Sequence, residues 1–469
     1  MQRRIFLLLL SLILCPCLLL SACRTPDRQD DVTPEPTPAF DPGSVQLSFS
    51  AISDTHIGDT NTEESFRRIL RYTKDVIGAA PDVYMVSGDL TDTTGSTAEK
   101  DQIRLFKSIF EEETANEAPL LYSLGPTHDV PSAAPVENHR MLFYSTFGPS
   151  YYENGLEGTT MLAKGFRHIT VKGYHFFAID WPGGADRSYA QEDLNWLQNE
   201  LQQAAAEDPA KPIFVSVHVP DVDQLNAVFA KFPQIFCFTG HVHNSVARED
   251  SISQDNGYTS VHCGAVNYYR VDGYNRFYKK DNPYLGLGDI YAFAQGLVVQ
   301  VDAAQNVRIT RIDGYNQTVL GTAWDIPTGD LTKYTDARKA GAANCSFGND
   351  AGLQVTVTDS ATLSVRFDAA ASGDAGPAQY YQIELLMPDA AGAYEVVQHA
   401  EISSQQVFFP NDVGIPELHY SHTFTDLNGL SDFAVVVTAW DCWGVSENAM
   451  VYTNGNYSHN GATAGKVIQ

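Results

Sequence analysis

Five apolar stretches of this sequence each stop at a short motif that contains aspartate or histidine. The first stretch, Ser48–Ser53, ends in Asp54-Thr55-His56. Successive side chains of a strand alternate between its two faces, so Asp54 and His56 would point the same way. A carboxylate and an imidazole in this arrangement form half of a metal site. The first motif therefore predicts that the chain folds so that other strand ends converge on this pair.

Four further motifs occupy the same kind of position, directly after an apolar run. In chain order they are Gly88-Asp89-Leu-Thr-Asp92, Gly125-Pro126-Thr127-His128-Asp129, the single His218 and Gly240-His241-Val-His243. Taken alone, most of these motifs are more often an ordinary turn or a half-buried polar residue, but His241-Val-His243 is better than chance because both rings would share a strand face. Their occurrence together at strand ends predicts one site at the carboxyl edge of a sheet.

Apolar periodicity predicts that strands alternate with helices over the first 325 residues. Strands are expected at 45–53, 82–87, 119–124, 166–171, 174–180, 212–217, 235–239, 258–263, 297–302 and 307–313. Helices are expected at about 62–77, 97–113 and 192–206, and the pattern over 131–165 is typical of a loop. Alternating strands and helices indicate an α/β layer architecture.

The N-terminus has the organisation of an export signal. Arg3 and Arg4 precede an apolar run, Ile5–Leu20, that is shorter than a membrane-spanning helix requires. The sequence Leu20-Ser-Ala-Cys23 resembles the lipobox of bacterial lipoproteins, in which the cysteine carries lipid. We predict a signal peptide over 1–22, a proline-rich acidic tether over 23–44, and an exported protein anchored outside the cytoplasm through Cys23.

The C-terminal part, residues 340–455, is β-rich and contains no pattern of metal ligands. Its late strands resemble those of a fibronectin type III sandwich. That family has a tyrosine at one corner of the sandwich, where this chain has Phe433. We expect an all-β sandwich that acts as a spacer or contacts cell wall or glycan. The cysteines of the folded part show no C-x-x-C spacing, so no zinc knuckle is predicted and disulfides stay open.

Charge restricts the class of partner. The formal net charge is −27, and 43% of the residues are hydrophobic. A soluble globular protein of this charge is not expected to bind a nucleic-acid backbone. Phosphate chemistry would instead depend on local cations, which the Asp and His motifs are suited to hold.

The five motifs in this order resemble the calcineurin-like metallophosphoesterases over about residues 45–325. The resemblance implies two facing sheets flanked by helices, an α/β/β/α arrangement, and two divalent ions such as Mn, Fe, Zn or Co. It implies that one ion is held by Asp54, His56, Asp89 and His243. It assigns the second ion to His218 and His241, with Asp89 bridging both. His128 matches the residue that contacts the phosphoryl group or protonates the leaving oxygen, with Asp129 as its orienting partner.

The sequence departs from the family pattern at two positions. The family has Asn before the motif histidine, where its amide oxygen is a ligand of the second metal, but this chain has Thr127. Thr127 is therefore an uncertain ligand. Position 92 is Asp, whereas purple acid phosphatases have a tyrosine ligand there, which argues against a ferric phosphatase. The motif Gly88–Asp92 looks more like the phosphodiesterase branch.

The predicted function is hydrolysis of a small phosphate ester, a phosphodiester or a phosphomonoester, by a hydroxide activated between two metals. One alternative is a hydrolase of nucleotide pyrophosphate bonds. Another is a non-catalytic surface binding protein whose second metal site is degenerate at Thr127. The segment 267–291 concentrates aromatic and basic residues, which indicates either a loop that stacks the leaving group or a packed excursion.

Overall fold

The computed structural model describes residues 39–94, 97–130, 136–147, 160–161, 164–183, 187–270, 289–290, 293–407, 418–427, 429–458, 462–463 and 466–468. Cys23, the predicted signal peptide and most of the predicted tether lie outside these residues. The helices are α1 (Thr62–Ile77), α2 (Thr97–Thr114), α3 (Val136–Phe147), α4 (Gln191–Glu207) and α5 (Asp223–Phe229). None of the described helices has the length and apolar character needed to cross a bilayer.

The N-terminal part of the described chain contains sixteen strands. They are β1 (Leu47–Ile52), β2 (Val83–Ser87), β3 (Leu120–Ser123), β4 (Thr160–Met161), β5 (Phe166–Val171), β6 (Tyr174–Ile179), β7 (Ile213–Val217), β8 (Ile235–Thr239), β9 (Ile252–Ser253), β10 (Thr259–His262), β11 (Tyr269–Arg270), β12 (Asp289–Ile290), β13 (Gln295–Val301), β14 (Asn306–Asp313), β15 (Thr318–Val319) and β16 (Trp324–Pro327). The first sheet has the order β15-β14-β13-β1-β2-β3, with β16 also paired to β14. The second has the order β4-β5-β6-β7-β8-β10-β9.

The two sheets pack face to face around one apolar core. Phe49 of β1 lies at its centre, with its ring centroid 4.7 Å from that of Phe214 and 5.7 Å from that of Phe238 in the opposite sheet. The helices α1, α2 and α3 cover the outer face of the first sheet, and α4 and α5 cover that of the second. Every residue of β1 is buried, as expected for a strand covered on both faces.

The C-terminal part is a separate stack of two smaller sheets. Its strands are β17 (Gly352–Asp359), β18 (Thr362–Asp368), β19 (Tyr380–Pro388), β20 (Tyr394–Ser403), β21 (His419–Phe424), β22 (Ala434–Trp440), β23 (Ala449–Thr453), β24 (Ala462–Thr463) and β25 (Lys466–Ile468). One sheet has the order β21-β18-β17-β25 and the other β20-β19-β22-β23-β24. Leu363, Leu385 and Val435 are among the fully buried residues of the core of this region.

The fold class predicted from sequence is confirmed: an α/β/β/α arrangement is followed by an all-β region. The domain limits 45–325 and 340–455 stay predictions. The expectation of a loop over 131–165 is wrong in part, because α3 packs Phe143 and Phe147 onto the first sheet. Cys237, Cys263, Cys345 and Cys442 are all buried and unpaired, so the structure contains no disulfide among the described residues.

Candidate metal centre

The carboxyl ends of five strands deliver the residues that the motifs single out. Because β1, β2 and β3 run parallel, and β6, β7 and β8 also run parallel, their ends meet at one edge of the two sheets. The structure brings together at this edge all six predicted metal ligands, Asp54, His56, Asp89, His218, His241 and His243.

The first cluster consists of Asp54, His56 and His243. Asp54 Oδ1 lies 3.1 Å from His243 Nε2 and 3.8 Å from His56 Nε2. The two Nε2 atoms are 3.2 Å apart. All three side chains are buried. Three ligand-type atoms therefore converge on one small volume.

The second cluster consists of Asp89, His218 and His241, which each place a ligand atom within 4.8 Å of the others. Asp89 Oδ2 is 3.1 Å from His218 Nε2 and 3.7 Å from His56 Nε2. Asp89 thus lies between the two clusters. This is the position that the resemblance assigns to a bridging carboxylate.

Main-chain carbonyls fix the orientation of two of the imidazoles. His243 Nδ1 lies 2.9 Å from the carbonyl of Tyr268, and His218 Nδ1 lies 2.7 Å from the carbonyl of Ser87. A neutral imidazole that donates Nδ1–H to a carbonyl presents its Nε2 lone pair on the other side. Both Nε2 atoms face the clusters, which is the arrangement expected of metal ligands.

The backbone of the site adopts an uncommon conformation. Five of the six predicted ligands have positive φ: Asp54 (56°), His56 (42°), Asp89 (49°), His241 (75°) and His243 (50°). Non-glycine residues rarely adopt such angles, and where they occur they concentrate at functional sites. The two loops after β1 and β2 also hold each other, because His56 N donates to the carbonyl of Asp89 at 3.0 Å.

The turn that carries His241 requires glycine at position 240. A Cβ atom at Gly240 would come within 1.8 Å of Ser53 Oγ and 2.4 Å of Asp54 Oδ2. The close approach lets the main-chain amide of His241 donate to both carboxylate oxygens of Asp54, at 3.1 and 3.0 Å. The Gly-His-Val-His motif is therefore packed directly against the first motif of the chain.

Burial and charge shift the pKa values of Asp54 and His56 in the first cluster strongly. Burial alone would raise the pKa of Asp54, but the charges of His243 and His218 outweigh it, and the pKa lies well below its usual value. Burial would lower the pKa of His56, yet hydrogen bonds with Asp54 and Asp92 raise it to about 10. The cluster therefore stabilises positive charge.

The second cluster shows the same preference at one of its two histidines. Burial opposes the charge of His218, but the carboxylates of Asp89 and Asp54 raise its pKa to about 9. Burial and the charge of His218 together lower the pKa of His241 to about 4, so His241 is neutral at physiological pH. A neutral imidazole is ready to bind a metal.

The residues of both clusters fit divalent metal ions. Asp89 Oδ1 is fully buried and accepts no hydrogen bond from the residues that the structure describes. A buried carboxylate oxygen left in this way is costly unless a cation contacts it. Imidazole and carboxylate together suit Mn, Fe, Zn and Co, so the predicted ligand set and the cluster chemistry agree. The identity and the number of the ions stay predictions.

His128 lies at the edge of the clusters, and its partner differs from the one expected. The His128 ring is 4.5 Å from that of His56, and its Nδ1 lies 2.7 Å from the carbonyl oxygen of Asp92. Asp129 was expected to orient His128, and this is wrong. The carboxylate of Asp129 accepts hydrogen bonds from the main-chain amides of Leu90, Thr91 and Gly125 instead.

Asp129 therefore organises the loops around the site, because the described partners of its carboxylate belong to these loops. It is fully buried, and burial together with the charge of Asp89 raises its pKa to about 7. Its hydrogen bonds join the loop after β2 to the loop after β3. Asp92 is the residue that sequence reasoning missed, because only the fold shows that its carbonyl reaches His128.

Thr127, the uncertain ligand, is exposed to solvent and has a φ of 77°. The residue of this loop that lies against the second cluster is Gly125. A Cβ atom at Gly125 would come within 2.2 Å of Asp89 Oδ1 and 2.6 Å of His218 Cδ2. A role for Thr127 as a ligand stays a prediction, and its exposure does not support it.

The aromatic segment 267–291 is described only at 267–270 and 289–290. Within it, the Tyr268 ring is stacked on His243 with a centroid distance of 4.1 Å, and it lies 5.3 Å from the ring of His56. Tyr268 is buried, so this residue packs against the candidate ligands His56 and His243. The sequence signal was the concentration of aromatic residues, but it could not identify which tyrosine packs on the site. The other residues of the segment lie outside the described residues.

A polar cavity of about 600 Å³ lies beside the loop that carries the two histidines. Val242 and Asn244, which alternate with His241 and His243 along the chain, form part of its wall. No lysine or arginine lines it among the described residues. Its lining includes five aspartates, Asp221, Asp223, Asp250, Asp255 and Asp336.

Residues 47–245 match the sequence profile of the calcineurin-like phosphoesterase family. This range contains all five motifs and every candidate ligand. No curated protein sequence matches the chain significantly. The family match and the His/Asp clusters support the predicted enzyme class, a metallophosphoesterase that hydrolyses phosphoric esters.

Solved structures to which parts of this chain are similar include a purple acid phosphatase from yellow lupin (Lupinus luteus) seeds, at 11% identity and a TM-score of 0.43. The similarity covers 62% of this chain, which spans only 55% of the lupin enzyme. PhoD is similar over 91% of this chain and 74% of its own, at 10% identity and a TM-score of 0.34. A protein named FN3tt is similar over 24% of this chain and 92% of its own, at 17% identity and a TM-score of 0.15.

Proposed function

We propose that the protein hydrolyses small phosphate esters with the help of two divalent metal ions. The observation that carries this proposal is the pair of His/Asp clusters at the edge where the carboxyl ends of the strands of both sheets meet. Asp89 lies between the two clusters. Asp54, His56, Asp89 and His243 would hold one ion, and Asp89, His218 and His241 the other. When bound, such ions polarise a phosphoryl group and lower the pKa of water.

The chain itself supplies orientation and a proton. The contact of His128 Nδ1 with the carbonyl of Asp92 directs Nε2 away from the protein interior. About 30% of the His128 side chain is exposed, so a substrate has access to it. Nε2 is then the atom that delivers a proton to the leaving oxygen of the ester. Asp129 keeps the loops of Asp89 and His128 together through its four hydrogen bonds to the loop after β2 and to Gly125.

We infer that esters of neutral or cationic alcohols are favoured over nucleotide pyrophosphates if the leaving group occupies the acidic cavity beside the loop of His241 and His243. The cavity beside the loop of His241 and His243 is lined by His262 and by five aspartates, of which Asp250 is paired with Arg248, and by no lysine or arginine among the described residues. A polyphosphate leaving group placed there would meet like charge. This supports a phosphodiesterase or phosphomonoesterase, with pyrophosphate hydrolysis as the less favoured alternative.

A three-substrate assay with the full chain tests these functions. Metal-free protein is reconstituted with Mn²⁺ and given p-nitrophenyl phosphate, bis(p-nitrophenyl) phosphate and a nucleoside diphosphate ester at equal concentrations. Release of nitrophenol with a kcat/KM above that for the nucleotide supports the proposal, and the ratio of the two nitrophenyl esters distinguishes monoesterase from diesterase. Preference for the nucleotide would establish the pyrophosphate alternative. Binding of Mn²⁺ without turnover of any of the three would favour the non-catalytic binding protein.

The location of the protein is a proposal that depends on residues outside the described part. We infer export and lipid attachment at Cys23 from Arg3-Arg4, the apolar run and the lipobox-like sequence. Labelling of cells with a radioactive fatty acid should mark the wild-type chain and not Cys23→Ser, and equal labelling would contradict lipidation. Binding of the isolated cell wall to full chain immobilised through its N-terminus would test the glycan contact proposed for the C-terminal region.

A further inference from the structure

The chain that follows His243 is enclosed between strand β13 and the C-terminal sandwich. Ser245, two residues after His243, is fully buried, as is Gln295, the first residue of β13. On the opposite side lies Val407, the last residue of a 3₁₀ turn (Gln405–Val407) in the sandwich, which is also fully buried. Three parts of the sequence far apart in the chain thus meet behind the candidate metal site.

These three residues form one hydrogen-bonded group. Ser245 Oγ lies 2.5 Å from the carbonyl oxygen of Val407 and 2.9 Å from Gln295 Oε1, and it accepts from the amide of Ala247. Gln295 Nε2 donates to the carbonyl of Val407 at 3.2 Å, while its Oε1 accepts from the amide of Val246 at 2.9 Å. The main chain immediately after the His243 ligand is therefore tied to both domains.

An apolar cluster reinforces the same contact. The Val407 side chain packs with Ala265, Tyr269 and Phe293, which are all fully buried. Tyr269 directly follows Tyr268, whose carbonyl contacts His243 Nδ1 and whose ring is stacked on the same imidazole. Val407 thus supports His243 from two directions, through Ser245 and through the Tyr268–Tyr269 segment.

A second contact holds the segment a few residues further on. The amide of Glu249 donates to the carbonyl of Ala375 in the sandwich at 3.3 Å. The neighbouring Gly376, with a φ of 90°, approaches so closely that a Cβ atom there would be 2.9 Å from the carbonyl of Ala247. The sandwich therefore contacts the segment 245–249 at two separate places, which a simple spacer would not require.

We propose that Ser245 and Gln295 are positioning residues through which the C-terminal sandwich sets the orientation of the metal ligand His243. The inference rests on the proposed function, because it assigns a metal to the first cluster. Groups that hydrogen-bond to a metal ligand typically change metal affinity or activity about 10–100-fold when they are removed. Here the contact is indirect, because Ser245 and Gln295 hold the main chain after His243, and the carbonyl that they share, that of Val407, belongs to the C-terminal sandwich.

The test measures Mn²⁺ binding to metal-free, full-chain protein by titration. We expect Ser245→Ala and Gln295→Leu to raise one of the two Mn²⁺ dissociation constants by about 10-fold or more, while excess Mn²⁺ restores most of kcat. Ser50→Ala, a buried serine of β1 bonded to Thr73, and Gln300→Leu, at the other end of β13, are matched controls that should leave both constants unchanged. A merely structural role would lower the melting temperature of the variants without changing Mn²⁺ affinity.

A further variant keeps the inference testable if those two do not fold. Val407→Ala retains the carbonyl that receives both hydrogen bonds and removes only two methyl groups, so we expect a dissociation constant raised about threefold, which corresponds to about 0.7 kcal/mol. Constants within experimental error of the wild type in the folded variants would overturn the inference. If the wild type itself bound no Mn²⁺, the proposed function would fail instead, so the two failures are distinguishable.

Discussion

The two parts of this molecule are both stacks of two β-sheets, but among the described residues only the N-terminal part brings candidate metal ligands together. In the N-terminal part, β1, β2 and β3 are parallel, as are β6, β7, β8 and β10, so their carboxyl ends lie along one edge. In the C-terminal sandwich the long neighbouring strands pair antiparallel, so successive strand ends alternate between opposite edges. The comparison shows that strand direction decides whether polar strand ends can converge.

Burial follows the same division. Every residue of β1 is buried, because helices cover the outer face of its sheet, whereas β17 exposes most of its residues after Leu353. When both faces of a strand are covered, the polar residues at its end are the ones that a ligand can contact. Among the described residues, the sandwich contacts the segment after His243 through its loops, at Ala375 and Val407.

The largest effect on activity and metal binding is expected from a change at Asp89, which lies between the two clusters of the N-terminal part. Asp89→Asn removes the carboxylate charge that contacts His218 and His56, so we expect hydrolysis to fall below detection and Mn²⁺ binding to weaken by about 100-fold. Metal content after dialysis and kcat/KM on both nitrophenyl esters would be measured. Near-normal activity would remove the two-ion site.

A buried aspartate at the opposite end of the same sheet is the matched control for this change. Asp302 follows β13, and its carboxylate accepts hydrogen bonds from the amides of Asp41 and Asn306. Asp302→Asn is expected to lower stability by about 1 kcal/mol and to leave metal content unchanged. Equal loss of metal in both variants would show that Asp89 acts only through the stability of the sheet.

The next effect separates proton transfer from metal binding within the site. His128→Ala should slow esters with poor leaving groups by about 10²–10⁴-fold, because an alkoxide needs a proton. Esters of p-nitrophenol should lose much less, and metal content should stay normal. If kcat falls equally for alkyl and nitrophenyl esters, His128 is not the proton donor.

Metal affinity should weaken as pH falls, because the pKa values of two candidate ligands are raised. The pKa values of His56, about 10, and His218, about 9, are raised, so both imidazoles hold a proton at neutral pH when no metal is bound. Each metal must displace such a proton, and each dissociation constant should therefore rise about 10-fold per unit as pH falls from 8 to 6. Mn²⁺ titrations at constant ionic strength would measure this. Constants independent of pH would contradict the assignment of these ligands.

A core mutation in the sandwich tests the other side of the comparison. Leu385 is fully buried in the sandwich core, and Leu385→Ala should lower the free energy of unfolding by about 2–5 kcal/mol. Because the Leu385 side chain lies in the sandwich core and not at the site, kcat/KM at 20 °C should not change while the sandwich stays folded. Val397→Ala, at a half-exposed position of β20, is the control for stability and should have little effect. A selective loss of activity in Leu385→Ala would place the sandwich core in the catalytic unit.

The sequence predicted the parts of the site that follow strands. Asp54, Asp89, His218 and the two histidines after β8 lie where the apolar runs stop, and the fold brings them together as expected. Periodicity could place them because a strand's direction fixes where its end lies. The helix α3 was missed because its apolar residues are interrupted by polar ones and it follows a segment with several prolines.

Contacts between distant segments could not be predicted in the same way. Nothing in the spacing of Ser245, Gln295 and Val407 indicates that they meet, since their sequence separations are 50, 112 and 162 residues. The contact that orients His128 is made by Asp92, whereas the sequence predicted Asp129 for this role. This difference likewise depends on the paths of the loops after β2 and β3. A main-chain carbonyl that orients an imidazole has no side-chain identity, so the sequence carries no signal for it.

The smallest effect concerns Thr127, where the sequence and the structure lead to different expectations. As a poor substitute for asparagine at a metal, Thr127 predicts that Thr127→Asn lowers the Mn²⁺ concentration for half-maximal activity. As an exposed β-branched residue with a φ of 77°, it predicts only relief of backbone strain, about 1 kcal/mol or less, because Asn tolerates this conformation better. Thr127→Gly relieves the same strain without supplying an amide oxygen, and it is the matched control. Equal melting temperatures above the wild type and equal Mn²⁺ dependence in both variants would assign position 127 to loop geometry. A lower Mn²⁺ requirement in Thr127→Asn alone would show that this side chain reaches the second ion, and that Thr127 weakens its binding.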